Sequence, residues 1–175
     1  MANLRIETLV RRHRPLLKHF RNQAPSLVQY LQRFALRHAE KDLLARTYLA
    51  VDGEAEAERI AGYFSLATVS VERSSVEDVG GLAKLPRFPI PGVLLARLAV
   101  DERAQGQGLG HYLFEEALGL ALQMALDGPV AFRLFVTDAL DAGAARFYER
   151  FGLQRLSDQF PARMILDIKP LLDIR

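Results

Sequence analysis

Three glycines at alternating positions follow a run of apolar residues and precede a stretch with helical periodicity. The segment reads Gln105-Gly106-Gln107-Gly108-Leu109-Gly110. Because glycine has no side chain, a ligand can approach the backbone closely at these positions. The amides of such a turn, together with the positive end of the following helix, form a binding site for phosphate. The sequence therefore predicts a phosphate-binding loop over residues 105–110.

Three classes of phosphate loop differ in the residues that surround the glycines. A nucleotide-triphosphate loop needs Lys and Ser or Thr after the last glycine, but His111 follows Gly110. A dinucleotide fingerprint would need glycine at position 111, which again is histidine. The third pattern, Gln/Arg-x-x-Gly-x-Gly/Ala, is matched in full by Gln105, Gly108 and Gly110. The first two classes are therefore excluded.

The elements that must position this loop are predicted from hydrophobic periodicity. The nearly continuous apolar run Val93–Val100 indicates a strand buried on both faces, directly before the loop. Apolar residues at helical spacing over 25–40 indicate an amphipathic helix, and a proline- and glycine-rich stretch over 72–91 indicates a long loop. The remaining predictions are strands at 4–9, 47–51, 60–71, 130–137, 153–157 and 162–168, and helices at 108–126 and 141–151.

The third loop pattern is similar to the coenzyme-A signature of the GNAT N-acetyltransferases. Leu98-Ala99-Val100-Asp101 resembles the family's fourth strand, whose splayed backbone contacts the pantetheine arm, and residues 141–153 resemble the second half of the signature. The resemblance implies an α/β GNAT fold, with a central mixed and largely antiparallel sheet flanked by helices. It also implies that acetyl-coenzyme A is the acetyl donor and is held by Leu98, Ala99, Val100, Gln105, Gly106, Gln107, Gly108, Leu109, Gly110, Asp141 and Phe147.

A narrower resemblance is to the GNAT toxins of bacterial toxin–antitoxin pairs, carried by residues 26–48, 60–67, 89–101 and 158–164. It implies acetylation of the α-amino group of aminoacyl-tRNA, a cytoplasmic location, a ribbon-helix-helix antitoxin and a homodimer. These toxins show a Phe-x-Cys-Gly element before the first helix. Here the corresponding segment Phe20–Gln23 has Asn22 in place of cysteine and Gln23 in place of glycine.

Acetyl transfer needs a deprotonated amine, a stabilised oxyanion and a proton for the departing thiolate. The resemblance assigns the proton donor to Tyr148; the alternative is a core aromatic that packs with Phe147. The strand over 93–100 contains no carboxylate to act as a base. An α-amino group has a pKa of about 7.7–8.0, against about 10.4 for lysine, so the missing base favours an α-amine as the acceptor. Three further helpers, which we interpret as structural residues, are Ser65, His111 and Glu116.

Basic residues concentrate at one end of the chain. Residues 1–46 contain ten Lys or Arg against three acidic residues, whereas the other 129 contain thirteen against eighteen. This asymmetry indicates either a polyanionic partner or solvated helix faces. The candidate substrate-binding residues are Arg33, Arg37, Lys84, Arg87 and Arg97. For Arg97 a structural ion pair is an equal alternative.

Composition limits the remaining possibilities. The absence of cysteine excludes thiol catalysis, disulfides and cysteine-based zinc sites, and the histidines show no metal-ligand spacing, so we expect no metal. The charged start of the chain lacks the apolar run of a signal peptide, and no stretch is apolar enough for a membrane span. We expect one domain over 1–175. The alternatives left open are an acetyltransferase for a small amine or protein N-terminus, and a non-catalytic module that binds coenzyme A or RNA.

Overall fold

The architecture was obtained as a computed structural model, which describes residues 4–53 and 58–173. The strands are β1 Leu4–Thr8, β2 Arg46–Asp52, β3 Arg59–Val71, β4 Ile90–Val100, β5 Leu134–Ala139, β6 Gln154–Arg155 and β7 Ala162–Asp167. The α-helices are α1 Arg14–Leu17, α2 Pro25–Gln29, α3 Ala35–Arg37, α4 Leu109–Asp127, α5 Ala142–Glu149 and α6 Lys169–Leu172. Among the described helices, none has the length and apolar character needed to cross a bilayer.

The strands form one seven-stranded sheet in the order β1-β2-β3-β4-β5-β7-β6. β1, β2 and β3 pair antiparallel in succession, and β7 pairs antiparallel with both β5 and β6. β4 and β5 pair parallel, with Gly92 opposite Leu134 and Leu95 opposite Thr137. The predicted mixed, largely antiparallel sheet with flanking helices is confirmed.

The chain divides into two compact units, each with its own hydrophobic core. The first comprises residues up to Ala67 together with Ala96–Ala117, and the second comprises Thr68–Leu95 with the residues from Leu118 onward. In the first core, Phe20, Leu31 and Tyr63 are almost completely buried. In the second, Val76, Leu82 and Val136 are completely buried. The expectation of one domain over 1–175 stays a prediction.

The first unit places α4 against the sheet where a glycine allows close approach. A side chain at Gly62 in β3 would come within 2.7 Å of Leu113 Cδ1 and 2.9 Å of the Ala99 carbonyl oxygen. Both distances are too short for an added carbon, so the sheet accepts the first turns of α4 only because residue 62 has no side chain. This packing fixes the start of α4 and therefore the end of the glycine loop.

Helical structure over 25–42, which we call the basic helix, is irregular. Between and after α2 and α3 lie two π-helical segments, Tyr30–Phe34 and His38–Asp42. The helix ends at Leu43, which has the left-handed backbone conformation (φ 53°) and is 80% exposed. The predicted position of a helix over 25–40 is confirmed, but nothing in the sequence indicated the two π-helical segments.

Two sequence-based predictions need correction. Strand β5 begins at Leu134 rather than 130, because Val130 follows the Gly128-Pro129 turn and is 71% exposed. The stretch 72–91 contains two 3₁₀ turns, Arg73–Val76 and Gly80–Lys84, which bury Val76 and Leu82 in the second core. Two predictions fall partly outside the described residues. The turn expected after Asp52 includes residues 54–57, and the charged start of the chain includes residues 1–3; these two ranges are not described.

Strand β4 also differs from its prediction. Val93 and Leu95 are buried, but the residues of the other face, Leu94, Ala96, Leu98 and Val100, are only half-buried. On the first face Arg97 is exposed, whereas Ala99 is 3% exposed. The run of apolar letters over 93–100 is therefore not a fully buried strand: one face of its second half is partly open.

Candidate active site

The glycine loop over 105–110 has a backbone that only glycine adopts without strain. Gly106 and Gly108 have φ angles of 76° and 77°. No atom within the described residues lies within 4 Å of a carbon added at either position, so the space beside them is open. The first amides of α4, from Leu109 onward, have no partner inside the helix. An open turn of positive-φ glycines before a helix start fits a pyrophosphate.

Asp101 holds the entrance to this loop. Its side chain is almost completely buried and accepts hydrogen bonds from the amides of Arg21 (2.9 Å) and Arg103 (3.0 Å). The Arg103 guanidinium adds two further bonds, through Nε at 2.7 Å and Nη2 at 2.9 Å. Burial raises the pKa of Asp101, but the bonds from Arg103 and the Arg21 amide outweigh it and hold the pKa below its ordinary value. A carboxylate stabilised in this way is an anchor and a poor proton acceptor.

The segment 19–24 fastens the same strand end from a second direction. The Asn22 side chain donates to the Val100 carbonyl (2.8 Å) and accepts from the Ala24 amide (2.8 Å). The Glu102 amide donates to the Arg21 carbonyl (2.9 Å). Asn22 thus ties the end of β4 to the start of the basic helix. Sequence analysis noted Asn22 only as a departure from the toxin pattern; its amide, which both donates and accepts, was the available signal.

Arg97 projects from the second half of β4 toward an aromatic cluster. Its guanidinium carbon lies 4.8 Å from the centre of the Tyr30 ring, and Nη1 donates to the Ala96 carbonyl (2.6 Å). The described residues provide no carboxylate partner for it, so the alternative of a structural ion pair finds no support there. Its charge is balanced by a π-face rather than by an anion, which leaves it available to a phosphate.

Beneath Arg97, two tyrosines stack at 6.4 Å between ring centres, Tyr30 and Tyr63. The Tyr63 hydroxyl donates to the Leu27 carbonyl (2.8 Å). The Tyr30 hydroxyl is buried and has no hydrogen-bond partner within the described part of the chain. A buried hydroxyl without a partner is costly, and such groups often mark ligand sites. In the sequence analysis Tyr30 was one of the apolar residues at helical spacing over 25–40 and was not singled out.

Tyr148 lies on α5 in the second unit, half-buried. Its hydroxyl is hydrogen-bonded to the Thr137 side chain, and Thr137 Oγ1 in turn donates to the Leu95 carbonyl (3.0 Å). Since a threonine hydroxyl has one proton, the Tyr148 hydroxyl donates to Thr137. Burial raises the pKa of Tyr148 above its ordinary value. The phenol therefore keeps its proton at neutral pH. Thr137 was missed by sequence analysis, because a strand threonine carries no motif.

The start of α5 is fixed by Asp141, whose side chain caps the helix by accepting from the Ala144 amide (2.8 Å). Phe147 packs edge-to-face against Tyr148 at 5.2 Å and against Phe151 at 5.2 Å. Both residues therefore have structural roles, while their contacts with the coenzyme stay predictions. The Tyr148 ring has the packing that the core-aromatic alternative requires, but its hydroxyl is also held in place, which that alternative does not require.

The three weaker catalytic candidates have ordinary structural partners. Ser65 is buried and hydrogen-bonded to Thr47 at 2.7 Å. His111 faces Glu115 at 3.3 Å on the exposed side of α4. Burial raises the pKa of the Tyr112 phenol, and its interaction with Glu116 raises it further. These contacts agree with their interpretation as structural residues.

The candidate substrate-binding cations fall into two groups. Arg33 and Arg37 are exposed on the basic helix in the first unit, with Arg97 on β4. Arg37 pairs with Asp42 at 2.9 Å. Lys84, the last residue of the second 3₁₀ turn, and Arg87, three residues beyond it, are both exposed. Among the described residues, no cluster of histidines and carboxylates could hold a metal ion.

Comparison with known proteins identifies relatives over nearly the whole chain. The acetyltransferase (GNAT) domain model matches residues 44–155. A tRNA-acetylating toxin of Mycobacterium tuberculosis is 31% identical over 150 residues, which cover 86% of this chain and 84% of that protein.

Solved structures show the same fold. AtaT complexed with acetyl-methionyl-tRNAfMet is 25% identical, with a TM-score of 0.85 over 98% of this chain and 99% of that one. AtaTR bound with AcCoA is 25% identical, with a TM-score of 0.79 over 99% of each chain. A mutant of KacT, 24% identical, shares the fold with a TM-score of 0.86 over 98% of this chain and 99% of that one.

Proposed function

The chain belongs to the GNAT acetyltransferase family, and from this premise we propose that it transfers the acetyl group of acetyl-coenzyme A to the α-amino group of an aminoacyl-tRNA. The observation that carries the choice of acceptor is Arg97, an exposed cation on β4 that has no carboxylate partner among the described residues. Its relative from Mycobacterium tuberculosis is a tRNA-acetylating toxin, and the AtaT structure contains acetyl-methionyl-tRNA. Both support the same acceptor.

In this proposal the glycine loop binds the pyrophosphate. The amides of Gly106 and Gly108 and the first turn of α4 donate to phosphate oxygens, and the half-buried backbone at Leu98 and Val100 receives the pantetheine arm. Asp101 and Asn22 keep this strand end and the loop in position through the bonds described above. Acetyl-coenzyme A supplies an activated thioester, so the protein need not activate the carbonyl by covalent chemistry.

The chemical step is addition and elimination at the acetyl carbonyl. The neutral amine forms a bond to the carbonyl carbon and loses a proton to water, while the carbon–sulfur bond breaks. The Tyr148 hydroxyl turns its proton from Thr137 to the departing thiolate, gives it up there and is reprotonated from solvent. Thr137 orients the Tyr148 hydroxyl before reaction. Since an α-amine is partly neutral near pH 8, no protein base is required.

The partners follow from the same proposal. Arg33, Arg37, Arg97, Lys84 and Arg87 contact the phosphates of tRNA, and we keep the expectation of a cytoplasmic location. The toxin class of the mycobacterial relative supports the expectation of a ribbon-helix-helix antitoxin, and we keep the expectation of a homodimer. Co-purification with the product of a small neighbouring gene, together with light scattering, tests both.

The test of the proposed function is Tyr148→Phe. This substitution keeps the ring packing and removes one hydroxyl, so acetyl-coenzyme A binding should be unchanged while kcat falls by about 10²–10⁴. Transfer of radiolabelled acetyl to bulk aminoacyl-tRNA is measured, with Tyr48→Phe as the control. Tyr48 is half-buried and stacks on Phe64, so its variant loses a comparable hydroxyl.

Two results would contradict the proposal in different ways. Failure of the wild-type protein to acetylate any aminoacyl-tRNA would remove the acceptor assignment. Full turnover by Tyr148→Phe would leave the acceptor intact and remove only the proton-donor role. Expression of the wild type alone should arrest growth, whereas Tyr148→Phe should be tolerated.

A further inference from the structure

A row of aromatic side chains runs from β4 along the basic helix in the first unit. It starts where the Arg97 guanidinium covers Tyr30 at 4.8 Å. Tyr30 contacts His38 edge-on at 5.6 Å between ring centres, and His38 contacts Phe34 at 6.0 Å. Burial falls along the row, since Tyr30 is 7% exposed but Phe34 is 41% exposed. The row therefore leads from a buried hydroxyl without a partner to an aromatic ring in solvent.

The two π-helical segments account for this alignment. Tyr30 and Phe34 are the first and last residues of one segment, and His38 begins the other. In a regular α-helix of about 3.6 residues per turn, residues spaced by four drift steadily around the axis. A π turn holds more residues, so it reverses the drift and keeps the rings on one face. π turns cost hydrogen-bond geometry and are frequent at functional sites.

The charge around these rings is positive. The only acidic residues of the basic helix are Glu40 and Asp42, and each is paired: Arg11 binds Glu40 at 2.9 Å and Arg37 binds Asp42 at 2.9 Å. Arg33, exposed beside Phe34, and Lys41 have no acidic partner among the described residues. An exposed aromatic ring among uncompensated cations suits a base with its phosphate, since bases stack on aromatic rings and phosphates attract cations.

We propose that Phe34 and His38 form a stacking platform for an unpaired nucleobase near the 3′ end of the acceptor tRNA, with Arg97 and Arg33 binding the adjoining phosphates. This inference rests on the proposed function and adds to it how the single-stranded end is held. The platform contacts no coenzyme.

The test separates stacking from general attraction to RNA. An acceptor-stem RNA hairpin with a short single-stranded 3′ overhang is titrated against the full chain by fluorescence anisotropy, beside the same hairpin with a blunt end. Removing an aromatic stacking partner weakens binding by about 5- to 150-fold per base. We expect this loss for Phe34→Ala with the overhang hairpin alone, and recovery in Phe34→Trp. Phe88→Ala, which removes a 59% exposed phenylalanine from the second unit, is the matched control.

A second variant distinguishes charge from stacking. Arg33→Ala should weaken both hairpins and reduce the salt dependence of binding, because it removes a phosphate contact rather than a base contact. Acetyl-coenzyme A affinity should stay unchanged in Phe34→Ala. The KM of the Phe34→Ala variant for aminoacyl-tRNA should rise, while its kcat should change little.

Several outcomes would overturn the platform. Equal weakening of both hairpins by Phe34→Ala would reduce Phe34 to a structural residue. Unchanged binding together with a changed oligomeric state would make this face a contact with another protein. If wild type acetylates aminoacyl-tRNA and Phe34→Ala does so with the same KM, the platform is refuted and the proposed function stands. If the wild type acetylates none, the proposed function fails first.

Discussion

Replacement of Asp101 by asparagine is the sharpest test of how the glycine loop is held. The substitution keeps size and shape but replaces one carboxylate oxygen by an NH₂ group and removes the charge. Four donors converge on the carboxylate: the amides of Arg21 and Arg103 and two guanidinium nitrogens of Arg103. Whichever way the new amide is turned, its NH₂ group faces one backbone N–H and one guanidinium N–H.

The size of the effect follows from the burial of each donor. Asp101 is 1% exposed, so a backbone amide that loses its acceptor there costs about 1–3 kcal/mol. The Arg103 side chain is 44% exposed, so water replaces most of its lost bond and that contribution is small. We expect a total of about 2–3 kcal/mol. For a chain of this length that corresponds to a fall in Tm of about 4–12 °C.

The effect should depend on pH with a definite sign. The pKa of Asp101 is lower in the folded protein than its ordinary value. Its stabilising contribution is therefore complete above the unfolded pKa of about 3.9 and is lost as the pH falls through the folded pKa. Wild type and Asp101→Asn should differ most between about pH 5 and 8, and their difference should shrink below about pH 4.

Differential scanning calorimetry across this pH range measures the effect, with Asp138→Asn as the matched control. Asp138 also receives two bonds from an arginine, Arg163, at 2.8 and 2.9 Å, but this pair is exposed. Its loss should cost about 0–1 kcal/mol. Equal shifts in Tm for the two variants, or a difference that persists unchanged at pH 3, would refute the role given to Asp101.

Two further predictions concern binding and chemistry. Gly108→Ala should abolish acetyl-coenzyme A binding in calorimetry. The substitution should cost only about 1–2 kcal/mol of stability, because the backbone has φ 77° but the new methyl group meets no atom of the described chain. Gly80→Ala, with φ 32° and an equally open position, should bind normally, and retained binding in Gly108→Ala would contradict the loop assignment. The rate of acetyl transfer should rise with pH through the α-amine pKa of about 8 and show no falling limb below about pH 10, since burial raises the pKa of Tyr148; a decline between pH 8 and 9 would show a different proton donor.

The glycine loop was predictable because its chemistry is local. Positive φ at Gly106 and Gly108, an open approach and a helix start all follow from a short stretch of sequence. The apolar run of β4 was readable for the same reason. The burial of this strand could not be predicted, because the residue types at Leu98 and Val100 do not show whether another element covers them. Only the packing of neighbouring elements shows that one face of this strand is partly open.

Residues that act through distant partners gave little signal. Asn22 and Val100 are 78 positions apart and are joined by a single side-chain bond, and Arg21 and Asp101 are 80 apart. Thr137 reaches the Leu95 carbonyl across 42 positions. Threonine and asparagine are common in strands and loops, so neither type stands out until the chain is folded.

The sequence by itself determined the family, the glycine loop and the order of the elements, since these depend on short-range patterns of glycine, apolar spacing and charge. The tertiary structure decided which cations are paired, because pairing depends on distances that the order of residues does not contain. Among the described residues it leaves Arg97 over Tyr30 without a carboxylate, whereas it joins Arg37 to Asp42. It also decided that Tyr30, Phe34 and His38 share one face, because π-helical turns changed their spacing around the axis.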